Sequence, residues 1–244
     1  MSAAYIPMDD SEVRRALVVS AHPDDVDFGA AGTVAKWTAA GIDVSYVFVT
    51  NGDAGGFDDA TPREKMPLIR QAEQRRAAEI CGVSDVTFLG YPDGRVHVGL
   101  DLRMDLAREI RRVRPQRVLC HSPERNFDHI AVSHPDHLAA GEATLCAVYP
   151  DARNPYAFPE LREQGLEDWK VPEVWLTGSP QPNHHVDVTE SFPTKIAALR
   201  AHVSQTSHLR ELEGWVRSWL GEHAQAAGMP RGRLAEAYRV LPTL

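Results

Sequence analysis

The sequence predicts an α/β protein with a mostly parallel, doubly wound sheet. Three observations lead there. Short apolar runs of strand length recur as far as Leu176, helical patterns of ordinary length separate them, and the chemically loaded segments follow the runs directly. In such sheets ligands bind outside the carboxyl ends of the strands.

The predicted strands are Ala16–Ser20, Val44–Val49, Val86–Leu89, Arg117–Cys120 and Glu173–Leu176, all short and rich in apolar or β-branched residues. The first helix, Gly29–Ala40, is Ala-rich and stops at Gly41, a residue suited to the left-handed position just past a helix end. Pro67–Cys81 opens with proline near its first position and stops at Gly82. Asp101–Val113 ends two residues before Pro115, and Pro135–Val148 follows Ser133 and His134, either of which can cap it. Thr194–Ala201 and His208–Ala227 read as closing helices. Asn51–Thr61, with three glycines and three aspartates, reads as a long loop placed to act as a lid. Tyr149–Pro172, rich in proline and charge, reads as an irregular insertion within one domain spanning 1–244.

Composition narrows the function classes. An apolar content of 43% and a charged content of 25% suit a globular protein. A net charge of -8 argues against a nucleic-acid surface, although arginines cluster at Arg75–Arg76 and Arg111–Arg112. Cys81, Cys120 and Cys146 form no CxxC pair, which favours reduced, packed thiols and a cytoplasmic setting. No apolar run approaches the ~20 residues of a membrane span, and Met1–Val13 lacks the pattern of a secretory signal.

Two segments carry the chemistry. Ala21-His22-Pro23-Asp24-Asp25 follows the first predicted strand. Adjacent carboxylates at a buried strand end are costly unless a metal or partners compensate them. Pro23 stiffens the turn, so that His22 and Asp25 can aim at one point while Asp24 points elsewhere. Imidazole nitrogen and carboxylate oxygen are suitable zinc ligands. Alone, the segment reads equally as a turn with a helix-capping aspartate. Ser133-His134-Pro135-Asp136-His137 repeats the His-Pro-Asp core. His134 and His137, three apart at a helix start, can share a face, one completing a metal site and the other serving catalysis. Taken together, the motifs point to three protein ligands and an open position, as in catalytic zinc.

The paired motifs resemble those of the PIG-L/LmbE-like deacetylases. Gly29 and Gly32, Thr50-Asn51-Gly52-Asp53, Arg70-x-x-Glu73 with Ala77 and Ala78, Gly90-Tyr91-Pro92-Asp93-Gly94, Val186-Asp187-Val188-Thr189, and Lys195 with His202-Val203-Ser204-Gln205 extend the likeness over most of the chain. The resemblance implies a Rossmann-like fold and hydrolysis of an N-acetyl group on a small amino-sugar or glycoconjugate. It implies His22, Asp25 and His137 as metal ligands, Asp24 as general base and His134 as the group that stabilises the oxyanion or donates a proton. Arg70 and Asp93 match positions that bind the sugar in some members. Two departures stand out. Val26 and then Asp27 occupy the place where many members have Glu, and Val132 stands where some have Tyr.

The implied chemistry is physically coherent. Zinc brings water from a pKa of about 15.7 to about 7, and a positioned base adds on the order of 10²–10⁴ in rate. Zn2+ is the default ion, and Fe2+ or another divalent ion suits the same donors. Asp136 can orient His134 or support the site from behind its ligands, or serve only the helix dipole. Asp53 can support the site from its strand end. His184 and His185, adjacent on a strand, point to opposite faces, and His202 and His208 read as packing or surface residues. The tryptophans, including Trp37, Trp175 and Trp215, read as core, with Trp175 placed to line a pocket. An amidase of thiol conjugates or an esterase would use the same site. A non-catalytic metal-bearing module would not need Asp24 and His134 beside the ligands. A homo-oligomer is the ordinary expectation for such an enzyme.

Overall fold

The computed structural model describes residues 5–57 and 61–243. Five parallel strands form its centre: β1 Arg15–Ser20, β2 Asp43–Thr50, β3 Asp85–Tyr91, β4 Arg117–His121 and β5 Glu173–Thr177. β6 His184–Asp187 and β7 Ala235–Pro242 add an antiparallel edge that the apolar runs do not announce. The order is β3-β2-β1-β4-β5-β7-β6. The sheet is thus mixed but mostly parallel, in the expected Rossmann-like arrangement.

The helices lie close to the expected spans. α1 Asp25–Gly29 and α2 Ala31–Ala39 replace a single expected helix, and α3 Met66–Ile80, α4 Leu100–Val113 and α5 Pro135–Cys146 follow. The stretch 149–172 contains a short helix, α6 Pro159–Glu163, whose Leu161 joins the core with Ala152 and Val171. α7 Phe192–Ala201, α8 Val203–Thr206 and α9 Leu212–Ala226 close the chain before β7. One apolar layer packs α4 and α5 on the sheet through Leu102, Leu106, Ile110, Ala140 and Ala143. The other packs α2 and α3 through Val34, Trp37, Ala77 and Ala78. After β2, seven of whose eight residues are buried, the loop expected to act as a lid lies partly outside the described residues.

Trp37 and Trp175 are core residues, their rings 5.3 Å apart and edge-on, and Trp175 is only 2% exposed. Trp215 differs from expectation. It is 54% exposed and stacks on Trp219, because α9 covers the sheet edge with only its Leu212, Val216 and Leu220 face.

The strand order reverses between β1 and β4, the switch point at which doubly wound sheets open a crevice. Both His-Pro-Asp segments meet there. α5 approaches the end of β4 so closely that a Cβ at Gly141 would overlap the His121 carbonyl oxygen.

Candidate active site

The turn after β1 is held by its own atoms. The His22 amide donates to Asp25 Oδ2 at 2.7 Å, and Arg70 Nη2 donates to the Pro23 carbonyl at 2.5 Å. Asp24 takes a left-handed conformation, φ 90 and ψ -26, uncommon for a residue other than glycine. Its amide donates to Gln74 Oε1 at 2.7 Å, and its carboxylate lies 3.3 Å from Arg70 Nη2.

From α5, His137 Nε2 approaches Asp25 Oδ1 at 3.1 Å, and the ring of His134 lies 5.0 Å from that of His22. Among the described residues, three overlapping sets of donors lie close enough to share an ion: His22, His134 and His137; Asp25, His121 and His137; and His22, Asp93 and Asp136.

The hydrogen bonds of each imidazole distinguish these sets, because one nitrogen of a neutral ring donates and the other accepts. His137 Nδ1 faces the Val132 carbonyl at 3.2 Å and so carries a proton, while Nε2 is the nitrogen that faces Asp25. His22 Nε2 faces Asp136 Oδ2 at 3.1 Å and Asp93 Oδ1 at 3.2 Å, so it donates, and Nδ1 faces Asp25 Oδ2 at 3.3 Å. His134 Nδ1 accepts from the Asp136 amide at 3.2 Å, which puts the proton of the neutral ring on Nε2. His121 Nε2 accepts from the Ala21 amide at 3.1 Å, so its lone pair there is already engaged. His22 Nδ1 and His137 Nε2 therefore each face an oxygen of Asp25; burial opposes their charge, but that of Asp25 raises both imidazoles above their ordinary value.

Charge follows the same geometry. Burial raises the Asp24 carboxyl to about 7, and the neighbouring Asp25 charge adds to this while Arg70 opposes it. Burial also opposes ionisation of Asp25, but His137, His22 and His121 outweigh it and hold this carboxyl well below its usual range. Burial, then the His137 charge, lowers His121 to about 4. Burial, then His22 and His137, lowers His134.

The remaining expected residues are accounted for. Asp136 is buried and accepts from the Gly94 and Val96 amides at 2.6 and 3.1 Å, so it grips His22 from an anchored carboxylate. Its side chain orients His22, while only its backbone amide meets His134. Asp93 joins the same imidazole and accepts from the Ala54 amide, and its own amide donates to Asp53 Oδ1, lacing the turn after β3 to the loop after β2. Arg70 is 4% exposed and also donates to the Gly52 carbonyl. A Cβ at Gly52 would run into its guanidinium, and Gly52 has φ 67. His121, absent from the expected set, is the last residue of β4 and stacks on His137 at 4.1 Å. Its signal was a histidine at a strand's carboxyl end, one residue past the apolar run. His202 is fully buried, and its Nε2 meets Asp27 at 2.7 Å. His184 and His185 are half-buried on the edge strand β6, where His184 packs on Trp175.

The chain matches the family described as PIG-L: GlcNAc-PI de-N-acetylase over residues 17–148, a span that contains both His-Pro-Asp segments. It belongs to the PIG-L family. It is 31% identical over 195 residues to diacetylchitobiose deacetylase of Thermococcus kodakarensis, an alignment covering 80% of this chain and 71% of that one. Among solved structures it resembles N,N'-diacetylchitobiose deacetylase from Pyrococcus horikoshii in complex with its inhibitor MPG. The TM-score is 0.87 at 26% identity, covering 95% of this chain and 85% of the other. It also resembles GalB, the 4-carboxy-2-hydroxymuconate hydratase from Pseudomonas putida KT2440, with TM-score 0.77 and 25% identity over 95% of this chain and 98% of that one. Curated relatives are thus N-acetylglucosamine-type deacetylases, while the same frame also carries a hydratase.

Proposed function

We propose that this protein is a metal-dependent N-deacetylase that removes acetate from a small amino-sugar or glycoconjugate. One observation carries the reading. His22 Nδ1 and His137 Nε2 both face the carboxylate of Asp25 while their other ring nitrogens are held by Asp136, Asp93 and the Val132 carbonyl, and Asp24 and His134 stand beside them with other duties. His22, Asp25 and His137 would hold the ion, Zn2+ by default and Fe2+ or another divalent ion by the same donor chemistry. When bound, the ion supplies Lewis acidity, which polarises a carbonyl and acidifies water.

The side chains divide the remaining work. Asp24, whose buried carboxyl is raised to about 7, takes a proton from the attacking water and passes it to the amine nitrogen as the C–N bond breaks. His134 offers its Nε2–H to the oxygen that gains charge in the tetrahedral state. Asp136 and Asp93 fix the His22 ring through its Nε2–H, as carboxylates commonly do for ligand imidazoles. Arg70 steadies Asp24, and its engagement with the Pro23 and Gly52 carbonyls supports this positioning role over contact with the sugar. The charge of -8 and the unpaired Cys81, Cys120 and Cys146 support a small neutral substrate over nucleic acid, and a cytoplasmic location. No helix among the described residues is long and apolar enough to cross a membrane.

Acetate release from N-acetylated amino sugars, measured on protein loaded with zinc or Fe2+, tests the reading. Asp24→Asn should keep its metal and lose on the order of 10²–10⁴ in kcat. Turnover of esters or thiol-conjugate amides in place of acetamides would move the substrate assignment. Water addition to an unsaturated acid without amide cleavage would place the protein with GalB. Tight metal without any turnover would favour a binding module.

A further inference from the structure

Behind Asp24 runs a buried chain of side chains that the family motifs do not connect. His202, between α7 and α8, meets Asp27 Oδ2 through Nε2 at 2.7 Å. Gln74 Nε2 on α3 donates to the same Asp27 oxygen at 2.9 Å, and Gln74 Oε1 accepts the Asp24 amide at 2.7 Å. Asp27, Gln74 and His202 are each 0% exposed. The neighbouring Glu73 grips the His202 segment by accepting from the Ser204 amide at 2.8 Å and its hydroxyl at 2.6 Å.

The polarity of this chain is forced. An ionised carboxylate only accepts, so Gln74 must turn its NH₂ toward Asp27, which leaves its carbonyl oxygen for the Asp24 amide. A flipped amide would oppose oxygen to oxygen at one end and N–H to N–H at the other. The clamp matters because Asp24 sits at φ 90, a conformation that persists in a non-glycine residue only when its surroundings over-determine it. Rotation of that backbone unit would swing the carboxylate away from Arg70, 3.3 Å distant.

We infer that Gln74 is a positioning residue, locked by Asp27 and His202, that holds the strained backbone of Asp24 and thereby aims its carboxylate. This rests on the reading of Asp24 as general base. Gln74→Met, Gln74→Glu, the pair Gln74→Glu with Asp27→Asn, and Asp24→Asn separate the possibilities. The readouts are kcat and KM on diacetylchitobiose, zinc per chain and melting temperature. Gln74→Met should lose about 10–100-fold in kcat with KM within about twofold and zinc content unchanged. Gln74→Glu should lose as much, because it opposes two carboxylates. Adding Asp27→Asn puts an NH₂ where the shared oxygen was, able to donate both to Glu at position 74 and to neutral His202. That pair should recover kcat to within about threefold of the parent, a rescue that a merely structural loss would not show. Full kcat in Gln74→Met, or no recovery in the folded pair, overturns the inference while Asp24→Asn is still inactive. Full kcat in Asp24→Asn overturns the general-base reading instead.

Discussion

The two ends of the central sheet both bury charge, and they do so on opposite principles. At the amino end, Arg117 and Glu173 are each 0% exposed and paired at 2.6 Å. Glu173 also accepts from the Trp175 indole, the Tyr5 hydroxyl and the Met8 amide. Arg117 reaches Asp10 and the Met8 carbonyl while lying over the rings of Trp37 and Trp175. Each formal charge has its own counter-charge and donors. At the carboxyl end, Asp25, Asp93 and Asp136 crowd a few shared imidazoles, with Asp24 beside them on Arg70. Asp25 alone faces His22, His121 and His137, and His22 alone faces Asp25, Asp93 and Asp136. One end closes its own balance and serves stability. On the proposed function the other end holds a cation, so its substitutions should act on binding and rate before they act on folding.

The largest expected effect lies at the carboxyl end. His137→Ala should abolish tight metal binding and reduce acetate release on the order of 10³-fold or more, since both the ion and the charge it supplies are lost. Metal content and the melting temperature of stripped protein would be measured together. A fall in the stripped protein's stability as large as that of an amino-end variant would erase the contrast between the two ends.

The matching experiment at the amino end is Glu173→Gln. Breaking a buried pair leaves an uncompensated charge, worth about 3–5 kcal/mol. Chemical denaturation should report that loss, while turnover per folded molecule stays within about twofold. A stability loss below about 1 kcal/mol would mean that Asp10 alone suffices for Arg117.

Smaller again is the stabilisation by metal. An ion that binds only the folded state at 100 times its Kd adds about 2.7 kcal/mol. Titration of zinc into stripped parent protein should raise the melting temperature, and His137→Ala should remove that rise. An equal rise in both proteins would place the ion elsewhere.

How much of this was legible in the sequence follows the same division. The central strands announced themselves because both faces of a parallel sheet are covered, so β2 from Val44 to Val49 reads as an apolar run broken only by Ser45. The antiparallel edge did not. β7 carries buried Glu236, which breaks its apolar pattern and is tolerated because Lys195 pairs with it at 2.7 Å from α7. The carboxyl-end motifs were legible because proline, histidine and aspartate occur at fixed local spacing. His121 was not, since its partners Ala21 and Asp25 lie about a hundred residues away. Asp27 and His202 are 175 residues apart, and each looks ordinary until the fold joins them. Arg70 and Asp93 stood out in the sequence, but only the structure ties the first to Asp24 and the second to His22.

The smallest effect concerns His202, which belongs to neither end but supports the site from behind. Burial opposes its charge, yet the bond to Asp27 and the charges of Asp27, Asp24 and Glu73 outweigh burial and raise it above the ordinary value of 6.5. A group raised in the folded state binds its proton more tightly there than in the unfolded chain. Its contribution to stability is therefore complete below pH 6.5 and fades as pH rises through the folded value. His202→Gln keeps a donor for Asp27 but cannot titrate. The stability of the parent relative to this variant should be greatest in mild acid and shrink toward alkaline pH. Unfolding free energies of stripped protein across that range would measure the difference. A gap that stayed constant or widened with pH would show that His202 is held as a neutral donor and contributes through the hydrogen bond alone.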